Sequence, residues 1–228
     1  FIKNHDPKTV LQLGYSHQKI PVYIKTVANF SAGYSWKGGK YTERTLNPVY
    51  IDIVNLPFID STFRAKVNTT SYLADSYRNM MILGGNYTYV FNNQKIQNSR
   101  DYWYIRMSLN AAGNLLYLAY KAEGRQKSDT ASFKLFGQDF AQYVKGEADI
   151  SYHRKLNEVS SIVYRAFAGV GFPYGNTPNA MPFAEQYFGG GSNDIRAWVV
   201  RSLGPGSYAL KDRTTFINQT ADIKLEAN

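Results

Sequence analysis

The sequence of 228 residues contains no cysteine. Without thiols it has no disulfide framework, no thiol nucleophile and no cysteine-ligated zinc site. Its three histidines, His5, His17 and His153, are scattered without the spacing that metal ligands need. No stretch approaches the roughly 18 consecutive apolar residues of a transmembrane helix. We therefore expect no metal site, no cofactor and no membrane-spanning helix.

Charge is also sparse, since charged residues make up only 19% of the chain, with a net charge of +9. The basic residues are dispersed and form neither an arginine-rich block nor a helical stripe, so a nucleic-acid partner is not expected. Solvated loops explain the positive charge, and acidic lipid headgroups are the alternative partner. Residues 1–6 lack the apolar region of a signal peptide, so a leader was removed or the chain is an internal section.

Aromatic residues are abundant at 15%, including 19 tyrosines. Apolar and polar residues alternate with a period of two over long segments, most clearly in 27–36, 103–112, 144–153 and 161–172. Soluble strands usually have ~5–6 residues, whereas a tilted strand that crosses a bilayer has ~9–11. The period and the lengths predict membrane-spanning strands, with a soluble all-β sandwich as the alternative.

The alternation separates two faces. Five charged residues in the middle of the strands all fall on the polar side: Arg106, Lys145, Glu147, Asp149 and Arg165. In a barrel this side lines a wet lumen, while in a sandwich it is the solvated face. The opposite side is expected to face lipid and carries Ile105, Met107, Leu109, Ile162, Tyr164 and Ala166.

Alternation and turn signals predict about nine strands: 9–17, 22–36, 46–54, 82–92, 101–121, 142–155, 158–173, 198–210 and 218–228. Short turns near 92–99 and 155–158 alternate with long connections at 55–81, 122–141 and 174–197, which is typical of outer-membrane barrels with short periplasmic turns and long extracellular loops. A short helix is expected within 55–81. Because single-chain bacterial barrels have an even number of strands, we expect residues 1–228 to be the central section of a larger antiparallel transmembrane β-barrel.

Enzymatic sites are not indicated. Asp149, Ser151 and His153 share one face of a single strand, whereas a catalytic triad needs its base held between nucleophile and orienting acid. The neighbouring acids Glu147 and Asp149 are explained by a lumen lining. We therefore expect a protein that is not an enzyme.

The segment Tyr187–Trp198, with the sequence YFGGGSNDIRAW, has the most unusual composition. Its glycine triplet, Gly189, Gly190 and Gly191, lets the backbone turn sharply. Arg196 follows, and its planar fork can bind several acceptors. A solvated flexible loop is one interpretation of this segment. Large apolar residues, among them Ile195 and Trp198, favour a loop folded inward onto lumen acids, because such groups are uncommon in exposed loops.

Three segments resemble the barrel of the BamA/TamA/FhaC superfamily of outer-membrane assembly and translocation proteins: GVGFPYGN at 169–176, MPFAEQYFGGGSNDIRAW at 181–198 and LGPGSY at 203–208. Two others, 33–55 and 136–156, are most similar to TamL, the lipoprotein member in Bacteroidota. The resemblance covers nearly the whole chain and implies a barrel of about sixteen strands, of which about nine lie here.

The resemblance also implies site residues. In the family, an extracellular loop folds back into the lumen, and its arginine meets an acid on a later wall strand. The matching positions here are the glycines 189–191, Ile195, Arg196 and Trp198, within an inward-folding loop 174–197. Ala197 replaces the glycine that follows the family's arginine. Residues 222–228 resemble the start of the strand that carries the acid. The period of two places the matching acid just beyond Asn228, and Glu226 on the same face, or a backbone carbonyl, is the candidate partner within this chain.

The implied function is non-enzymatic insertion or translocation of outer-membrane or surface proteins in a Gram-negative outer membrane. The implied partners are client proteins and the lipid bilayer, with lipopolysaccharide and accessory assembly subunits as further candidates. Seam strands and preceding periplasmic repeat domains are expected outside this chain. A passive porin or substrate-specific channel is the alternative function.

Overall fold

The computed structural model describes residues 7–21, 23–68, 77–94, 101–124, 132–157, 159–178, 181–182, 184–187, 189–190, 196–197 and 223–227. In chain order the elements are β1 (Lys8–Ile20), β2 (Tyr23–Gly39), β3 (Thr42–Ile59), α1 (Ser61–Asn68), β4 (Met80–Asn92), β5 (Tyr102–Ala112), α2 (Asn114–Ala122), β6 (Lys134–Leu135), β7 (Gln138–Asp139), β8 (Tyr143–Lys155), β9 (Ser161–Pro173) and β10 (Ile223–Ala227).

Eight strands form one antiparallel sheet in the order β1-β2-β3-β4-β5-β8-β9-β10. Neighbouring strands follow each other along the chain, and β6 and β7 form a separate small hairpin. Within the described residues the sheet has open edges at β1 and β10 and is not closed into a ring. No helix among these residues has the length and hydropathy needed to cross a bilayer. The prediction of an antiparallel sheet of long strands, consistent with part of a barrel, is confirmed.

The two faces of the sheet differ as the alternation predicts. On one side, which we call the apolar face, large side chains are exposed; Leu13 is 84% and Leu109 is 53% exposed. Of the residues expected to face lipid, Ile105 is half-buried and the others are exposed. The opposite side, which we call the polar face, carries the charged residues. There the Arg165 guanidinium donates two hydrogen bonds of 2.9 Å to the Asp149 carboxylate.

The connections differ in length between the two ends of the sheet. The long connections after β3, β5 and β9 leave from one end, which we call the loop end and which also carries the tight turn between β1 and β2; short turns join β2 to β3 and β8 to β9 at the opposite end. At the short β8–β9 turn the Asn157 side chain accepts hydrogen bonds from the backbone N–H groups of Val159 and Ser160, at 3.0 and 2.7 Å. This Asx arrangement closes the turn locally.

The prediction of a strand over 101–121 is wrong beyond Ala112, because α2 occupies Asn114–Ala122. Gly113 separates the two elements with a φ of 75°, and a Cβ there would lie 2.3 Å from the Ala141 carbonyl oxygen. Only glycine fits this left-handed, crowded position. The leucines and alanines that follow are good helix formers, and their apolar content was misread as a continuing strand.

The predicted helix within 55–81 is confirmed as α1. Asp60 precedes it, and its carboxylate accepts hydrogen bonds from the hydroxyl of Thr62 and from the backbone N–H groups of Phe63 and Thr62. These bonds hold the pKa of Asp60 below its ordinary value, the Thr62 hydroxyl contributing most. Phe63 packs α1 onto the sheet in a buried cluster with Tyr23 and Tyr77. The predicted strand 198–210 lies outside the described residues.

Candidate functional site

The described residues of the segment that follows β9, namely 174–178, 181–182, 184–187 and 189–190, lie on the polar face at the loop end; we call them the loop segment. Its apolar anchor is Met181, which is 1% exposed. Met181 packs in one buried cluster with residues from the ends of successive strands: Met80, Ile82, Ala112, Ala141 and Tyr143. The loop segment therefore covers the polar face of several strands of the sheet.

A charged contact joins the loop segment to the sheet. The carboxylate of Glu185 lies 3.2 Å from the ammonium of Lys145 on β8. Its other oxygen lies 3.5 Å from the Tyr50 hydroxyl on β3, which donates its proton to the nearer Asp52 carboxylate. Lys145 also pairs with Glu147 at 3.4 Å. Since Lys145 and Glu185 are both largely buried, the pair is screened from solvent and holds the loop segment to β8.

Tyr187 forms the next contact along the loop segment. Its hydroxyl donates to the Gly146 carbonyl at 3.3 Å, and its ring meets Phe167 edge-on at 6.2 Å. The Lys145 ammonium lies 4.5 Å from the centroid of the same ring, within the range of a cation–π interaction. A Cβ at Gly169 would lie 2.5 Å from this ring, so glycine on β9 makes room for the tyrosine.

The start of the loop segment is fixed by a buried hydrogen-bond network. Asn176 is 1% exposed. Its amide donates to the carbonyls of Phe133 and Phe140, both at 2.9 Å, and its oxygen accepts from the Phe133 N–H at 2.6 Å. The backbone N–H of Asn176 donates to the Gln142 side chain at 2.8 Å. One side chain thus joins the loop segment to the chain on both sides of the β6–β7 hairpin.

The predicted motif is described only in part. Gly189 and Gly190 are buried, and Gly190 has a φ of 86°, which suits glycine. Gly191, Ile195 and Trp198 lie outside the described residues. Arg196 is exposed. The backbone of Glu226 pairs with Phe167 on β9, and opposite residues of an antiparallel pair share a face. Glu226 therefore occupies the face on which Phe167 meets Tyr187. The pairing of Arg196 with Glu226 stays a prediction.

Sequence reasoning missed the residues that hold the loop segment. Lys145 and Glu147 were placed on the polar face, but no partner in the loop was assigned to them. The signal was present, because Glu185 and Tyr187 stand in a stretch with few other polar groups, MPFAEQYF. A lone acid near several apolar residues favours a partner of opposite charge.

The polar face offers no catalytic arrangement in the part of the sheet that is described. Ser151 and His153 lie within 3.3 Å of each other, but Asp149 is bound to Arg165 and does not orient the histidine. Across the described ranges, no group of three or more His, Asp or Glu residues could hold a metal ion. The arrangement positions a loop rather than a reacting group.

Comparison with known proteins agrees with this architecture. The family model of the Omp85 superfamily domain matches residues 7–227. This match supports the resemblance to the superfamily of BamA, TamA and FhaC. Proteins of the superfamily are outer-membrane proteins of Gram-negative bacteria and act in assembly or translocation without enzymatic chemistry. No curated protein matches the sequence.

Proposed function

The chain belongs to the Omp85 superfamily, and from this premise we propose that it inserts or translocates outer-membrane proteins by a non-enzymatic mechanism. The observation that carries the proposal is the loop segment ion-paired across the polar face through Glu185 and Lys145. A passive pore needs an open lumen. A segment bonded to the inner side of the strands narrows that lumen. It instead stabilises the barrel wall, meaning the strands of the sheet, with which client strands would interact.

The two faces give the orientation of this loop. Exposed leucine, methionine and tyrosine side chains on the apolar face suit contact with lipid. The polar face, with its charged residues, then lines the lumen. We therefore propose that the loop 174–197 folds into the lumen, since the loop segment lies on the polar face and buries Met181 there.

Arg196 and the glycines 189–191 would extend this contact toward β10. In support of this, the backbone of Glu226 on β10 pairs with Phe167 on β9. An arginine fork can bind a carboxylate through two parallel hydrogen bonds. Arg196 and Glu226 are therefore proposed as a second contact between the loop and the wall, with Ile195 and Trp198 as its apolar neighbours.

Further strands are proposed to complete the sheet. In lipid an unpaired strand edge leaves backbone groups unsatisfied at a cost of several kcal/mol each, and β1 and β10 are edges in the described part. The similarity of 33–55 and 136–156 to TamL supports a TamL-type barrel, with surface proteins as clients and lipopolysaccharide and accessory subunits as further partners.

The proposal is tested by client insertion in vesicles that contain the full-length protein. Glu185→Gln removes the charge that ties the loop segment to Lys145, while Glu147→Gln removes a carboxylate that pairs with the same lysine but belongs to the wall. We expect slower insertion of a client barrel, read by protease protection, for Glu185→Gln and a near-parent rate for Glu147→Gln. Equal rates for both variants, or ion conductance with no insertion by the parent protein, would contradict the proposal.

A further inference from the structure

Helix α2 presents an apolar stripe to the outside of the molecule. Leu115, Leu118, Ala119 and Ala122 are all exposed, and their spacing of three and four residues places them on one side of a helix. Leu115 is 82% and Leu118 is 61% exposed. A surface helix in water normally turns its polar side outward. A stripe of exposed apolar side chains is therefore better accommodated by an apolar environment.

The opposite side of α2 is already occupied by protein. The ring of Tyr120 stacks on Phe133 at 5.2 Å, and Tyr117 lies 5.8 Å from the same ring. The Tyr120 hydroxyl donates to the Lys134 carbonyl at 2.9 Å. These contacts fix the rotation of the helix against β6. The stripe is consequently held outward and cannot turn inward without breaking them.

Along the chain, α2 follows directly on a strand that carries the apolar face. Helix α2 begins directly after Gly113, which follows β5, and Met107 and Leu109 on that strand are exposed on the apolar face. The helix lies at the loop end, where the strands reach the boundary of the bilayer. Adjacency to a strand with a lipid-facing side, at the end of the sheet where that strand leaves the bilayer, points to lipid rather than to a protein as the neighbour of the stripe.

Charges near the end of α2 suit the headgroup region. Lys121 is exposed in the last turn, and the sequence continues with Arg125 and Lys127 around a single acid, Glu123. A short helix with an apolar side and basic residues at its end is typical of segments that lie in the membrane interface. Lysine can bury its alkyl stem and place its charge among lipid phosphates.

We propose that α2 is an interfacial anchor whose apolar stripe enters the lipid leaflet at the loop end, with Lys121 at the headgroups. This inference rests on the proposed lipid contact of the apolar face. It assigns α2, which belongs to a long connection and not to the barrel wall, to the membrane-binding surface of the protein.

The absence of cysteine permits a direct test. Single-cysteine variants at Leu115, Leu118, Leu109, Ser108 and Glu123 of the full-length protein carry an environment-sensitive fluorophore in vesicles of phosphatidylethanolamine and phosphatidylglycerol. For each label, the quenching of fluorescence is measured with two kinds of lipid, which bear a nitroxide near the headgroup or deep in the acyl chain. Quenching by iodide in the water is measured separately. Leu109 is the wall control for lipid, Ser108 the control for the polar face, and Glu123 the control for water.

If α2 lies in the membrane interface, labels at Leu115 and Leu118 should have a blue-shifted emission. Their fluorescence should be quenched more by the shallow nitroxide than by the deep one. The Glu123 label should instead lose intensity with iodide. Labels at 115 and 118 that respond like the one at Glu123, or that neither quencher reaches, would overturn the anchor in favour of water or of a protein partner. If the Leu109 label fails to respond to lipid nitroxides, the lipid assignment of the apolar face fails as well.

Discussion

Tyr187 lies so close to Gly169 that a Cβ at position 169 would come within 2.5 Å of Cζ of the tyrosine ring. The ring has little freedom to withdraw, because its hydroxyl donates to the Gly146 carbonyl and the Lys145 ammonium lies over its face. Gly169 on β9 and Tyr187 on the loop segment thus form a close contact on the polar face.

Gly169→Ala should therefore displace Tyr187 and lower the free energy of unfolding by about 1–3 kcal/mol, the usual cost of overpacking. Denaturant unfolding of the reconstituted protein measures it, and protease cleavage within the loop segment should become faster. Gly146→Ala is the matched control, since nothing lies within 4 Å of a Cβ there. Equal stability of the two variants would show that Tyr187 is not held in place.

Met181→Ala tests the apolar anchor of the loop segment. Because Met181 is buried among the ends of three strands, β4, β5 and β8, truncation should lower the free energy of unfolding by about 2–5 kcal/mol and expose the loop segment to protease. Met107→Ala shortens the same side chain on the apolar face, where lipid fills the space and no cavity in the protein results, so we expect a smaller loss of about 1 kcal/mol or less. A comparable loss at both positions would mean that Met181 contributes no more than a surface residue.

The strands were predictable because each has a polar and an apolar face, which fixes a period of two in the sequence. The segments that contain β8 and β9 were read nearly to their bounds for this reason. Strand β5 was predicted to extend too far because Leu115, Leu116 and Leu118 continue its apolar composition. The strand ends just before Gly113, whose φ of 75° turns the chain out of the extended conformation. The period of a short helix is hard to separate from alternation over so few residues.

The glycine triplet and Arg196 were recognisable by local composition, but the contacts of the loop segment were not. Glu185 and Lys145 are 40 residues apart in sequence, and only the fold brings them together. The same applies to Asn176, whose three side-chain hydrogen bonds reach backbone groups of Phe133 and Phe140. Backbone partners have no sequence signature, so such a contact cannot be read from residue types.

Asn176→Asp should be strongly destabilising although it keeps the size of the side chain. The carboxylate would face the carbonyl oxygens of Phe133 and Phe140, to which the amide now donates, and it would be buried. We expect a loss of about 3 kcal/mol at neutral pH, since buried charged groups without partners cost more than neutral ones.

The pH dependence of this variant has a definite sign. Burial and the two carbonyls raise the folded-state pKa of the new carboxyl above its unfolded value of about 3.9. The Asn176→Asp variant is therefore most stable, relative to the parent, below pH ~3.9, and it loses stability as the pH rises through the raised pKa. Unfolding midpoints of the variant and the parent, compared across acid and neutral pH, measure this. Asn157→Asp is the control, because the Asn157 side chain accepts its two hydrogen bonds through its oxygen and a carboxylate can accept them as well. A constant difference between Asn176→Asp and the parent at all pH values would contradict the assigned amide orientation.

Arg196→Ala should slow client insertion more than it changes strand content, because the arginine is proposed to fix the loop to the wall and not to build the sheet. Arg196→Lys should restore the rate only in part, since an ammonium cannot reproduce the two-pronged fork. Insertion into vesicles and circular dichroism measure the two effects. Arg154→Ala, at an exposed position near the other end of β8, controls for the loss of one positive charge.

A double-mutant cycle identifies the partner of Arg196. If Glu226 accepts its hydrogen bonds, Arg196→Ala and Glu226→Gln should be non-additive, with a coupling of about 0.5–3 kcal/mol in the free energy of unfolding. The backbone register supports this choice, because Glu226 stands opposite Phe167 on the face that holds Tyr187. If the two changes in the free energy of unfolding are fully additive, Glu226 is not the partner. The insertion assay then still decides whether Arg196 has the proposed role. A parent-like insertion rate for Arg196→Ala would exclude the role itself, and the loop segment would then be held to the sheet by the contacts of Asn176, Met181, Glu185 and Tyr187.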